Sequence, residues 1–397
     1  MANTILTPTA VTRAALAILH QKLNFIGTIN RSYDDSFAKS GAKIGDSLKI
    51  RLPNQYTVRS GATLSAQDTT ETSTTLQVAT QKGVDVSFSS VDLTLSLQDF
   101  SQRILEPAMA VLAANIEADA LSMYKSVYNL VDNDAAAISF LNVMQGRQRL
   151  NENLAPMDNS RTALLSNSHT TKLVDALKGL FQDSSAISKQ YREGMMGRTG
   201  GFDFYENTLV SDHQTGTAAK TTGYLTNGAT QSGASITVDT GTTSFLIGDV
   251  ITFAGVFRVH PETKVSTGVL QQFVVTANSG TSATTLAISP SIVATGARQN
   301  VSNTVADNSA VVKIAAGASE LVNSSMVYHK DAFTFATADL VLPTGVDFAA
   351  REVMDGLSMR VVRDYSISDD TFPCRIDILY GFKAIRPELA CRIHADG

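Results

Sequence analysis

Tryptophan is absent from the 397 residues, cysteine occurs twice, and charged residues make up only 17% of the chain. Two cysteines cannot supply a disulfide framework for a chain this long, and they suit a reducing compartment, where such a framework would not persist. No run of Lys and Arg occurs and the formal net charge is -5. That balance argues against a nucleic-acid binder, whose affinity comes largely from clustered cations that displace counterions. No stretch reaches the roughly eighteen uninterrupted apolar residues that a membrane helix requires. The N-terminus "MANTILTPTAVTRAALAILHQKLNF" lacks the basic segment, apolar run and small-residue cleavage site of a secretory signal, which predicts a protein made and kept in the cytosol.

Catalytic and metal patterns are missing as well. The six histidines, His20, His169, His213, His260, His329 and His394, form no HExxH or His-x-His, and no GxSxG elbow occurs. The glycines of "GMMGRTGGFDFYENTLV" lack the Lys and Ser or Thr of a phosphate loop, because Gly200 is followed by Gly201, and no strand is predicted just before them. Residues Gly194 to Gly201 therefore read as a mobile loop. The short acidic turns at Asp34 and Asp35 and at Asp369 and Asp370 lack the repeated oxygen-ligand spacing of a calcium loop. No cofactor is implied, and an enzyme is not expected.

The two cysteines lie in the closing stretch "PCRIDILYGFKAIRPELACRI". Cys374, Ile376, Ile378, Tyr380 and Phe382 fall on one face of an alternating strand, with Arg375 and Asp377 on the other. Leu389, Cys391 and Ile393 alternate likewise, opposed by Arg392 and His394. Sixteen residues separate the cysteines and no second pair exists, which does not fit a zinc site. Both read as small buried hydrophobes.

What is present is enough apolar material, 43% of residues, to fill real cores in a chain of two or three domains. Thr7 as N-cap and Pro8 at the first helical position open a short helix carrying Val11, Ala14, Ala15, Ile18 and Leu19. From Asn24 to Gly45 the sequence is irregular and reads as an arm laid along other structure. Leu48, Ile50 and Leu52 then alternate with polar residues, as do Leu76 and Val78 and, past a possible bulge at Gly83, Val84, Val86 and Phe88. Between them lies the polar "RSGATLSAQDTTETSTT", whose one large apolar residue is Leu64 and whose Asp68 and Glu71 are solvated carboxylates. Two arms and a polar tip predict a long hairpin. An isolated ribbon is marginal in water, so this one needs a surface to lie on, and another subunit is a ready candidate; a flexible surface loop is the alternative.

Leu105, Met109, Leu112, Ile116, Met123, Val127 and Leu130 step by threes and fours and predict one long helix from about Leu97 to Val131, with Pro107 kinking it or marking the start of its regular part. Its Met and Tyr residues read as core packing. Residues from Ala135 to about Asp212 alternate helix (Ile138 to Leu150), strand (from Arg161) and helix (Thr170 to Leu180), a compact α/β lobe. Composition then shifts: Thr221 to Glu320 holds nine charged residues in a hundred, with short alternating runs separated by Gly, Ser and Asn. That pattern predicts a separate β-domain, a small barrel or sandwich, inserted into an α+β body that resumes after about Leu321.

The order of arm, hairpin, long helix, α/β lobe, inserted β-domain and return strands resembles the major capsid proteins of tailed bacteriophages with the Hong Kong 97 fold. The segments "GDVITFAGV", "GGFDFYENTLV" and "CRIDILYGFKAIRPE" look like the corresponding stretches of coat proteins from the Salmonella short-tailed phage group, which carry an inserted β-barrel. The resemblance implies an α+β capsid fold divided into an N-terminal arm (1–45), an E-loop hairpin (46–90), a peripheral domain with its spine helix (91–134), an axial domain (135–215), the inserted β-domain (216–320) and return strands completing the axial and peripheral domains (321–397). It implies a shell of pentamers and hexamers, assembly with a scaffolding protein and a portal protein in the host bacterial cytoplasm, expansion as double-stranded DNA is packaged without sequence-specific binding, no membrane, and a place in the virion. On this reading the polar residues facing neighbouring subunits are Arg51, Arg59, Asp68, Glu71 and Lys82 on the hairpin and Arg13 and Arg31 on the arm. In the family an early loop of the inserted domain carries charges that pair across two-fold axes, whereas the matching "GYLTNGATQSGAS" is uncharged. An encapsulin-like compartment shell and a β-rich adhesion or glycan-binding module are the alternatives.

Overall fold

Alternating apolar residues do become strands, and a computed structural model shows how they pair. It describes residues 8–32, 46–64, 66–69, 71–89, 106–177, 197–220, 223–354, 357–368 and 371–396. Thr7, Asp34, Asp35, Asp369, Asp370 and the proposed helical segment before Leu105 lie outside the described residues.

In chain order the helices are α1 (Pro8–Lys22), α2 (Phe25–Thr28), α3 (Glu106–Leu121), α4 (Phe140–Glu152) and α5 (Asn167–Leu177). The strands before the low-charge segment are β1 (Asp46–Arg51), β2 (Ser73–Val78), β3 (Thr80–Ser89), β4 (Leu130–Ala137), β5 (Arg161–Leu165), β6 (Arg198–Thr199), β7 (Phe202–Glu206) and β8 (His213–Gln214). Within it lie β9 (Tyr224–Thr226), β10 (Gly233–Asp239), β11 (Val250–Phe253), β12 (Phe257–Val259), β13 (Ser266–Leu270), β14 (Phe273–Val275), β15 (Thr285–Ile292) and β16 (Ala310–Ile314). The chain closes with β17 (Leu321–His329), β18 (Phe333–Ala338), β19 (Phe348–Met354), β20 (Leu357–Arg363), β21 (Thr371–Ala384) and β22 (Ala390–Asp396).

Two compact units result, one from Met1–Arg51, Ser73–Leu121 and Phe333–Ile385, the other from Leu52–Thr72, Ser122–Ala332 and Arg386–Gly397. The first is built on a five-stranded sheet of order β18, β21, β20, β19, with β3 also paired to β21. Helix α1 buries Val11, Ala15, Leu16 and Leu19 and packs against α3, β19 and β20. The described part of the arm, up to residue 32, lies along other structure: Asn30 N–H donates to Phe333 O at 3.2 Å and Phe335 N–H to Asn30 O at 3.1 Å, while Phe25 meets the Phe333 ring edge-on at 5.7 Å.

The second unit holds a sheet of order β4, β22, β17, β5, β7, β6, with β8 paired to β17, and a closed barrel of order β10, β15, β14, β11, β16, β9. Tyr224, Ile236, Phe245, Ile251, Phe253, Phe273 and Ile288 are among the side chains that fill the barrel. Closure removes the free strand edges that an open sheet of such short strands would leave.

Four expectations need correction. The long helix is regular only over Glu106–Leu121; a 3-10 turn, Ser122–Ser126, follows, and Leu130 already begins β4. Met123, Val127 and Leu130 are buried as predicted, but by a turn and a strand. Pro107 sits in the first turn of α3, where its missing N–H is not needed. Gly83 is not a bulge: β3 stays in register with β21 through it, Gly83 opposite Asp377, and a Cβ there would lie 2.5 Å from Ile376 O, so only glycine permits the approach. The described part of Gly194 to Gly201 is a β6–β7 hairpin rather than a mobile loop, with Gly200 and Gly201 at φ +60° and +85°, the double positive φ of a type I′ turn. Finally, Arg392 and His394 do not face solvent; both are buried, because β22 is a central strand covered on both faces.

Candidate intersubunit surface

Strands β1 and β2 pair antiparallel with Leu48 opposite Leu76 and Ile50 opposite Thr74. The second arm leaves this ribbon at Ala79, so β3 belongs to the five-stranded sheet and the ribbon ends at Val78. The ribbon is not bare. Ile50, Leu76 and Val78 pack with Ala336, Ala338, Leu340 and Leu379, and Leu48 and Ile385 border them. Lys383 Nζ adds a hydrogen bond to Thr75 O at 2.9 Å. The surface that supports the arms is therefore this chain's own sheet.

The tip is different. Leu52 N–H donates to Thr72 O at 2.8 Å, and beyond that bond the segment is held by its own polar groups. Gln67 Oε1 accepts from Thr57 N and Oγ1 at 2.8 and 2.9 Å, and Gln67 Nε2 donates to Thr57 O at 2.6 Å. Arg59 Nη1 donates to Gly61 O and Thr63 O. A loop ordered in this way still leaves Tyr56 57%, Val58 94% and Leu64 84% exposed. Uncovered apolar side chains grouped on one loop mark an interaction surface far better than a single exposed leucine would. Sequence reading found Leu64 but missed Tyr56 and Val58; the signal was there in the apolar alternation of "NQYTV", which continues beyond the arm.

The seven predicted polar residues do not form one cluster. Arg51, Arg59, Asp68 and Glu71 are exposed on the hairpin. Arg13 is exposed on α1, with Nη2 3.6 Å from Glu352 Oε2, and Arg31 is half-buried on the arm. Lys82 is engaged within the fold: its Nζ lies 2.7 Å from Asp119 Oδ2, an oxygen that also accepts from the Tyr380 hydroxyl at 2.5 Å. Burial first, then that bond to the carboxylate, pushes the Tyr380 phenol well above its ordinary range.

The uncharged loop at the start of the barrel is closed on itself. Gln231 Oε1 accepts from Thr237 N at 2.6 Å, and its Nε2 donates to the carbonyls of Asn227, Gly228 and Thr237 at 2.9, 3.1 and 3.0 Å. Beside it, Gly228 N–H donates to Asp307 Oδ1 at 2.7 Å, an acidic partner from the turn before β16, the strand paired with β9.

Among the described residues, no group of three or more His, Cys, Asp or Glu could hold a metal ion, and no helix is long and apolar enough to cross a membrane. Both cysteines are free and buried. Burial raises the Cys374 thiol to about 11 and the Cys391 thiol to about 12, so neither is a nucleophile near neutral pH.

Three solved chains are among those to which this chain is similar. That of Mycobacterium phage Che8 is 11% identical, with 94% of this chain and 90% of that one covered and a TM-score of 0.48. The capsid structure of the cyanophage P-SCSP1u gives 10%, 89%, 85% and 0.43, and a virus-like particle from Pyrococcus furiosus gives 7%, 96%, 97% and 0.40. No curated protein matches the chain. The model of the family described as "P22 coat protein - gene protein 5" matches residues 28–392. Because that span runs from the end of α2 into the last strand and takes in ribbon, barrel and both large sheets, the chain belongs to the P22 coat protein family, the major capsid proteins that assemble with copies of themselves into the head of a tailed phage.

Proposed function

We propose that the hairpin tip, residues 52–72, is the reach of this subunit across its neighbour in the shell. The observation that carries this is the exposure of Tyr56, Val58 and Leu64 on a loop already tied by Gln67 and Arg59. Fully covering such side chains is worth about 1.5–3 kcal/mol each, and a modest contact repeated around a closed lattice yields a stable particle. Arg51, Asp68 and Glu71 flank the apolar residues and supply the polar rim, with Arg59 holding the loop's shape. Arg13 and Arg31 would make separate contacts from the arm, and Lys82 fixes β3 against α3.

The protein is structural and not an enzyme, and its place is the virion. Within that role the segments divide the work as the family order suggests: arm 1–45, hairpin 46–90 with its last strand, β3, lying in the five-stranded sheet, peripheral domain 91–134, axial domain 135–215, barrel domain 216–320 and return strands 321–397. Assembly runs with a scaffolding protein and a portal protein and is followed by expansion as DNA enters. A net charge of -5 without a basic run suits a wall that contains DNA without gripping it.

The test is the triple variant Tyr56→Ser, Val58→Ser, Leu64→Ser. Its monomer should keep the wild-type circular dichroism while sedimentation and electron microscopy show few or no closed shells. Shells formed in normal yield and diameter would overturn the assignment.

A further inference from the structure

The barrel is joined to its sheet through a root made of ionisable side chains. The inbound and outbound chains meet there: Thr215 N–H donates to Glu320 O and Ser319 N–H to Gly216 O, both at 2.9 Å. Asp249, just before β11, accepts from Gly216 N at 3.0 Å and Leu246 N at 2.9 Å through Oδ2. Its Oδ1 lies 3.1 Å from His213 Nε2, whose Nδ1 lies 3.2 Å from the Tyr124 hydroxyl. From β22, Arg392 Nη2 donates to Gly248 O at 2.7 Å, and the guanidinium stands over the Tyr124 ring at 5.8 Å. The His394 ring is 5.7 Å from that of His213. Lys313 Nζ, from β16, donates to Gly317 O at 2.7 Å.

This junction is buried, and the ionisable groups that face His394 are basic. Arg392 is 0% exposed, Asp249 1%, and His213, Lys313 and His394 2% each. Arg392 Nε and Nη1 and both His394 ring nitrogens meet no hydrogen-bond partner among the described residues. Around His394 stand Arg392 on its own strand, His213 on β8, His169 on α5 and, further off, Lys220 on the inbound chain. His169 is spoken for by Ser325 Oγ at 2.6 Å and Ala395 O at 3.3 Å, and Lys220 by Asp132 Oδ2 at 3.1 Å and by Asp134. His213 faces Asp249, but also Arg392 and Lys125. Asp212, Asp249 and Asp396 face the histidines and Tyr124, and Lys313 faces Asp249, Glu320 and Asp134.

We propose that the barrel root is an acid-opened latch, in which protonation of His394 and His213 releases the barrel from the β22 face of the sheet while barrel and sheet each stay folded. A proton on His394 would place a second buried cation beside Arg392 with no carboxylate to meet it, whereas the same imidazole in water takes up its proton freely. Burial, and then the positive charge of Arg392, hold the His394 imidazole well below its ordinary value near 6.5; burial also lowers His213, with Asp249 opposing. The closed root binds fewer protons than the open one. Its stability is therefore complete above about pH 6.5 and falls below it, with the opening equilibrium shifting about tenfold per pH unit for each imidazole held neutral.

The experiment is amide hydrogen exchange by mass spectrometry on the unassembled full chain between pH 7.5 and 5.0, corrected for the intrinsic pH dependence. Below pH 6.5 the amides of Gly216, Leu246 and Ser319 should lose protection tenfold or more per pH unit, while those of β14 and β15 inside the barrel keep theirs. His394→Leu should move this opening to lower pH, and His260→Gln, on the β12–β13 ribbon, should leave it in place. Root amides indifferent to pH, loss of barrel and root protection together, or an unchanged onset in His394→Leu would each overturn the latch. Should that variant fail to fold, C2-proton exchange of His394 in the unaltered chain decides: its titration must coincide with root opening, and an ordinary titration with the root closed refutes the proposal.

Discussion

The short helix α2 has no cap of its own, and its stability is predicted to rest on a side chain nearly a hundred residues away. Asn24 holds the N-cap position but makes no side-chain capping bond. In its place the buried carboxylate of Glu117 on α3 accepts from Asn24 N at 2.9 Å and from Phe25 N at 2.6 Å. Hydrogen bonds to a charged acceptor are worth about 1.5–3 kcal/mol each, and amides left unpaired in the interior cost a similar amount. Glu117→Ala should therefore loosen the arm from α3 by about 3–5 kcal/mol. Glu117→Gln, which keeps one acceptor oxygen, should lose about 1–2 kcal/mol. The measurement is hydrogen exchange of peptides spanning residues 23–30 relative to β21 in the same sample. Every 1.4 kcal/mol is a factor of ten, so the alanine variant should exchange about a hundredfold faster or more in the arm, with β21 unchanged. An acceleration below about fivefold would mean that the carboxylate holds little, and that the Phe25–Phe333 contact and the Asn30 bridge dock the arm by themselves.

Gly83→Ala should strain the β3–β21 pairing, because the new Cβ meets Ile376 O at 2.5 Å and Asp377 Cβ at 2.9 Å; overpacking of this kind costs about 1–3 kcal/mol. A thermal midpoint equal to wild type would show that the strands have room to part. Neither Cys374 nor Cys391 should react with a disulfide reagent in the native chain at pH 8, and both should in denaturant, since burial keeps each thiol protonated. Prompt stoichiometric labelling of the folded protein would contradict that. Loss of shells in the tip variant, and acid opening of the barrel root that His394→Leu delays, complete the set.

Much of this architecture could be read from the sequence where one physical constraint dominated. The ribbon arms showed themselves through Leu48, Ile50, Leu76 and Val78, because one face of each strand is buried and the other is not. The β-domain showed itself through scarce charge and frequent turn residues, but its closure did not, since pairings such as β9 with β16 join residues far apart in the chain. Spacing failed where two structures share one burial pattern: Met123, Val127 and Leu130 keep a helical step while passing from a 3-10 turn into a strand. It failed again at Arg392 and His394, since alternation distinguishes faces only when water covers one of them. For the same reason the barrel root went unseen, while the exposed hairpin tip was found in outline.

The pairing of Thr215 with Glu320 sets the two ends of the barrel segment one hydrogen bond apart. A host sheet interrupted at such a point needs only a short turn to close over the gap, which is how a whole module can be gained or exchanged during descent without disturbing its scaffold. The residues beneath strengthen that freedom. Lifting the module away would bare a guanidinium and imidazoles, which water readily solvates, instead of a greasy scar that would drive unwanted clumping. Foreign cassettes of similar end-to-end spacing could be carried on this subunit at the same address.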